Sequence, residues 1–202
     1  MKRASNIISY VFHPVFMPLF GIFLILNSGI YSVNIPSDFT RFIYLIVILT
    51  NSILPLSFLP ALIYFKNIRT FEMGERRERF IPLFFTTICF YLTYHIISRV
   101  SPVTFINMFL LSTVVTVLVL TLISIFWKIS LHMAGIGGIA GTVVILSISF
   151  SLDTSFLLCG IILLAGIIGS ARLAVTNHTP MQLFIGFVTG LAGALVLFLP
   201  MG

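Results

Sequence analysis

The sequence predicts an all-α polytopic membrane bundle of about seven transmembrane helices, and three observations carry that expectation. Hydrophobic residues make up 59% of the 202 residues and charged residues only 8%, where an ordinary soluble domain carries roughly a quarter. Uncharged apolar runs recur along the whole chain. Crossing the hydrocarbon takes about 20 residues as a helix, so this length accommodates about seven crossings with tight loops and no soluble domain. The runs lack the alternation of barrel strands, and backbone polar groups in lipid must be satisfied internally, which leaves helices. Residues 1–202 are thus expected to form a single membrane domain.

The candidate spans, in order, are about Ile7–Leu26, Phe42–Phe65, Phe80–Ser98, Thr104–Trp127, Met133–Phe150, Thr154–Ser170 and Pro180–Leu199. The first follows a basic start, Met1-Lys-Arg, as signal peptides do. No cleavage site is apparent, and His13, Pro14 and Pro18 interrupt the run, so it reads as a retained span. Cys89 in the third span and Cys159 in the sixth lack CxxC partners and read as small packing residues, not as disulfide or zinc ligands. The fourth span ends on Trp127-Lys128, an ordinary aromatic-plus-cation anchor. Gly137-x3-Gly141 in the fifth and Gly186-x3-Gly190 in the seventh fit close helix contacts, with an anion nest over Gly135–Gly141 as the alternative. Thr179-Pro180 fits an N-cap followed by Pro at the first helical position, and Ser130 is placed to cap the fifth span in the same way. His13 and His95 match no motif and are expected to pack or to sit at the interface. No pair of broken spans suggests a carrier.

Charge is one-sided. The chain has 11 Lys and Arg against 5 Asp and Glu, and its pI is about 9.8. In a membrane protein that balance favours anionic lipid or phosphate, with no support for nucleic acid. Counting crossings from the N-terminus puts Lys66–Arg79 after two spans, Lys128–His132 after four and Arg172–His178 after six, all on one face. Lys2, Arg3, Lys66, Arg69, Arg76, Arg77, Arg79, Lys128 and Arg172 share that face, and Arg41 and Arg99 lie on the other.

Ionisable groups near hydrocarbon are expensive, so Arg172 and His178, in the stretch Arg-x5-His-x3-Gln between two apolar runs, are functional candidates. The bland alternative is an interfacial pair snorkelling to headgroups. In the basic cluster, Glu72/Arg76 and Glu75/Arg79 are i,i+4 pairs, so a salt-bridged helical turn competes with a phosphate clamp.

These residues resemble the type 2 phosphatidic acid phosphatase family, membrane relatives of the vanadium haloperoxidases. The family carries Lys-x6-Arg-Pro, Pro-Ser-Gly-His and Ser-Arg-x5-His-x3-Asp. Here Arg172 and His178 keep the third motif's spacing, with Ala171 for its Ser and Gln182 for its Asp. Lys128-Ile-Ser-Leu-His132 is similar to the second, keeping Ser130 and His132. The first is the most eroded: Arg69-x6-Arg76 has its spacing with Arg77 in place of Pro, and Pro82 follows Arg79.

The resemblance implies a metal-independent lipid phosphatase that needs no cofactor and works through a phosphohistidine. His178 would be the nucleophile, oriented by Gln182, and His132 would protonate the leaving oxygen. Arg172, Lys128, Arg76, Arg79 and Ser130 would bind the phosphate. The partner would be a phosphorylated membrane lipid, such as polyprenyl diphosphate, phosphatidate, phosphatidylglycerophosphate or a phosphorylated glycolipid, and no protein partner is implied. The eroded first motif and the missing Asp favour an alternative, a catalytically inactive binder of the same lipids. A prenyltransferase would need Asp-rich magnesium motifs, and Asp38 and Asp153 are both remote from the basic face. The expected location is the cell (inner) membrane. Positive-inside counting puts the site in the cytoplasm, while the resemblance suggests the outer face, and the face stays open.

Overall fold

A computed structural model describes residues 2–29, 36–69, 76–175 and 178–198. Among these the chain is all-helical. Six helical segments are long and apolar enough to cross a membrane: Arg3–Asn27, Ser37–Tyr64, Phe80–Val100, Thr104–Phe126, Leu131–Phe150 and Ser155–Val175. A seventh apolar helix, Pro180–Val196, is shorter. The packing divides the chain, expected as one membrane domain, into two compact units: Met1–Gly21 with Ile129–Gly202, and Ile22–Lys128.

The first span is two helices, α1 (Lys2–Val11) and α2 (Met17–Asn27), joined through a 3-10 turn at Pro14–Phe16. Proline explains the break. Pro14 and Pro18 have no N–H to continue an i→i−4 ladder, and the His13 N–H turns back to the Tyr10 carbonyl at 3.3 Å. That leaves the Ser9 carbonyl without its usual helical donor.

The second unit shows a different interruption. Between α3 (Ser37–Val47) and α4 (Leu54–Tyr64), residues Ile48–Ile53 take a π-helical register, with the Leu54 N–H on the Leu49 carbonyl. Pro55 cannot donate to the Asn51 carbonyl, so the ladder slips by one. The slip carries Thr50, Asn51 and Ser52 into the interior, where the Thr93 hydroxyl donates to Asn51 Oδ1. The first two spans are therefore both broken, where the apolar runs suggest none beyond the first. A 3-10 turn at Arg76–Arg79 leads into α5 (Phe80–Val100), which pairs with α6 (Thr104–Phe126) around Cys89, Phe90 and Val114.

In the first unit, α7 (Leu131–Phe150), α8 (Ser155–Val175) and α9 (Pro180–Val196) pack with α1. The contacts of α7 and α9 advance together along both helices: Ser130 with Gly186, Gly137 with Phe187, Gly141 with Ala194. The two helices therefore run parallel and start at the same end. Glycine is required at the seam, since a Cβ on Gly190 would meet the Ala134 carbonyl and one on Gly137 the Phe187 carbonyl. This is the close small-residue contact that the two glycine motifs predict. Antiparallel α8 returns its last turn, with Arg172, to the end where α7 begins, as its packing of Gly169 near Met133 requires. Helix α1 turns Ser5 and Ser9 inward and Ile7, Tyr10 and Val11 outward. That is the reverse of a helix facing water, and it suits one facing lipid.

Candidate functional site

The site builds up from two helix starts. Thr179 caps α9 in a capping box: its hydroxyl accepts the Gln182 N–H at 3.3 Å, and Gln182 Oε1 accepts the Thr179 N–H at 3.1 Å. The same Oε1 lies 3.0 Å from His178 Nδ1. An oxygen that already accepts a backbone N–H can only accept from the ring, so Nδ1 carries the proton and Nε2 the lone pair. The two lone pairs of one amide oxygen thus fix both the helix start and the tautomer of a buried histidine.

The start of α7 lies beside it. The Ser130 N–H donates to the Gln182 carbonyl at 3.3 Å, and the Ser130 carbonyl accepts from Ala134 at 3.1 Å. Ser130 is the N-cap residue, but its hydroxyl makes no cap bond, which corrects the expected side-chain cap. The backbone ties to α9 and to the first helical turn place the residue instead. Its hydroxyl is fully buried without a hydrogen-bond partner.

Ser9 joins the remaining groups. Its carbonyl, freed by the break after α1, accepts from His132 Nε2 at 3.0 Å, and its hydroxyl accepts from Arg172 Nη1 at 3.2 Å. A carbonyl can only accept, so the His132 proton sits on Nε2. The His13 ring stands edge to face against His132, with centroids 5.6 Å apart and planes at 79°. Arg172, His13 and His178 all lie within electrostatic reach of His132.

Of the residues the sequence singles out, the first unit brings together His132, His178, Arg172, Ser130 and Gln182. Arg76, Arg79 and Lys128 belong to the second unit. There Arg79 is buried just before α5, and Lys128 follows α6 at the same end of that antiparallel pair. Glu72 and Glu75, and with them the expected i,i+4 pairs, lie outside the described residues, as does the side chain of Arg76. Arg69 is held by a buried carboxylate: Glu78 Oε1 accepts its backbone N–H at 3.2 Å and lies 3.8 Å from its Nε. Cys89 packs in the core as expected, but Cys159 is exposed on α8. An apolar run does not reveal which of its faces turns inward.

Sequence reasoning passed over Ser9 and read His13 only as a packing or interfacial residue. The signals were present: Ser5 and Ser9 form an i,i+4 polar stripe in an apolar run, and His13 directly precedes the proline break.

Charge and dipole converge on this end. Two parallel helices start side by side and direct free N–H groups and positive dipole ends to one place, an arrangement that favours an anion. Arg172 adds a full charge, although a cation also suits the last turn of α8. The first unit contains one carboxylate, Asp153, between the C-terminus of α7 and the start of α8, about 30 Å away along α7. There the Ser155 N–H donates to Asp153 Oδ1 at 3.1 Å and holds that carboxyl below its usual range. No family model, no curated protein and no solved structure matches this chain.

Proposed function

We propose that this protein is a metal-independent phosphatase of membrane lipid phosphates, a divergent relative of the type 2 phosphatidic acid phosphatases. The observation that carries the reading is the pair of helix starts, with His132, Arg172 and His178 at that end and the unit's one carboxylate at the other. A phosphoryl group suits such a site, because its transfer needs positioned positive charge and a nucleophile.

His178 Nε2 attacks phosphorus, forming the N–P bond as the bond to the lipid oxygen breaks. Nδ1 keeps its proton, donated to Gln182 Oε1, and the bond keeps the ring aligned. His132, with Nε2–H committed to the Ser9 carbonyl, takes a second proton on Nδ1 as the anionic phosphate binds beside it and delivers that proton to the leaving oxygen. Water then attacks phosphorus and returns a proton to His132 as the N–P bond breaks. Arg172 and the N–H groups of α7 and α9 offset charge on the phosphoryl oxygens. Candidate substrates are polyprenyl diphosphate, phosphatidate, phosphatidylglycerophosphate and a phosphorylated glycolipid. The test is phosphate release from this panel by purified protein in detergent. Binding of these lipids with no release would favour the inactive binder, for which the uncharged Gln182 speaks.

Two further outcomes follow. Among the described residues no group of three His, Cys, Asp or Glu is arranged to hold a metal ion. Turnover is expected to be unchanged by excess chelator and inhibited by vanadate, whereas chelator inhibition reversed by magnesium would overturn the metal-independent mechanism. At Gln182 a carboxylate would accept the same two N–H groups and add charge. A charge-assisted hydrogen bond is roughly twice as strong as a neutral one, a gain of about 1–2 kcal/mol. Gln182→Asp and the length-matched Gln182→Glu are expected to raise kcat about 5- to 30-fold. No increase in either variant, with unchanged thermal stability, would mean that another acid already orients His178.

A further inference from the structure

We infer that His13 belongs to the same site as a positioning residue that, with the Ser9 carbonyl, commits His132 to proton transfer through Nδ1. This rests on the phosphatase reading for its kinetic consequence, but its structural content stands by itself.

His13 immediately precedes the 3-10 turn, and its Nδ1 accepts the Val15 N–H at 3.4 Å. An accepting Nδ1 is unprotonated, so in this geometry His13 is neutral with its proton on Nε2. The local bond therefore fixes the ring of His13 as a cap residue is fixed. The fixed ring then meets His132 edge to face at 5.6 Å, within the distance range of a favourable aromatic pair.

His132 is thus held from two directions by one interruption of one span. The Ser9 carbonyl, released because the chain turns before Pro14, takes Nε2–H at 3.0 Å. The His13 ring, placed by that same turn, packs against the imidazole. A histidine held by its Nε2–H alone can swing about that bond, and a ring packed against it restricts the swing. What remains for chemistry is Nδ1, in one orientation.

Two substitutions separate the ring from the turn. His13→Asn keeps an acceptor for the Val15 N–H, since Asn is a good cap, but removes the ring. His13→Phe keeps a ring and removes the acceptor. In protein labelled with 15N-histidine in detergent, His132 is expected to be Nε2-protonated in the wild type and in His13→Phe. In His13→Asn it is expected to average between tautomers. In the same preparations kcat is expected to fall about 3- to 10-fold in His13→Asn with KM within twofold, matching the size of an aromatic pair. The arm of the kcat–pH profile that reports His132 should move only in that variant.

A wild-type tautomer and an unchanged kcat in His13→Asn would overturn the assignment. So would equal losses in both variants, which would indicate a role for the turn alone. If the wild type releases no phosphate from any lipid tested, the phosphatase reading fails. The His132 tautomer in His13→Asn then still decides whether His13 positions it.

Discussion

Replacing His178 with alanine is expected to reduce phosphate release at least about 10³-fold, a loss of roughly 4 kcal/mol of transition-state stabilisation. This substitution removes the nucleophile and leaves the groups that hold phosphate. Arg172, the Ser9 hydroxyl and the two helix starts do not depend on the imidazole. The α9 cap also survives, because the Thr179 and Gln182 bonds close on each other without His178. Thermal stability should therefore stay near that of the wild type, and binding of a lipid phosphate should persist. That pattern, affinity kept and turnover lost, marks an interaction made in the reaction and not in the ground state. Equal turnover in His178→Ala and wild type would remove His178 as the nucleophile.

Gly190→Ala is expected to lower the thermal midpoint by roughly 6–12 °C. A Cβ at this position would meet the Ala134 carbonyl and lie 2.8 Å from the Gly138 nitrogen. Both obstacles are backbone, which cannot rotate away, so the helices must separate. Overpacking usually costs about 1–3 kcal/mol; backbone obstruction places this change near about 3, and each kcal/mol shifts a chain of this size by roughly 2–4 °C. Gly160→Ala and Gly166→Ala provide the contrast, since a Cβ at either meets nothing within 4 Å. Replacing Gly in a helix removes backbone freedom of the unfolded chain, so those variants should be neutral or slightly stabilised. A wild-type midpoint for Gly190→Ala in detergent would show that α7 and α9 do not pack at this seam. Activity should fall with the seam, because the same contact aligns Ser130 with Gln182.

The fold was legible because its determinants are dense and local. Apolar runs of membrane length, interrupted by Lys66–Arg79, Lys128 and Arg172, give helix number and order without knowledge of any contact. The Thr179 cap and the glycine seams were legible for the same reason, each being a short motif with one physical meaning. The break at Ile48–Ile53 was hidden, because Pro55 can be absorbed by a kink, a π register or a new turn, and packing against α5 decides. At the site, the spacing of His178 and Gln182 is a one-turn relation within a single element and could be read directly. The carbonyl of Ser9 could not, because it matters only once Pro14 has released it and His132 has arrived. Residues that act through their backbone carry no chemical label in a sequence.

Ser9 also imposes an order of events on synthesis. Its two partners, His132 and Arg172, lie 123 and 163 residues further along the chain. At about 5–20 residues per second, Arg172 emerges roughly 8–33 s after Ser9. Until α7 and α8 follow, the inward face of α1, with Ser5 and Ser9, lacks the helices it finally meets. The whole of Ile22–Lys128 must be made before the helices that complete the first unit exist. Helix α1 is therefore among the last to reach its final packing, and a chain stopped before α7 would lack both partners of Ser9.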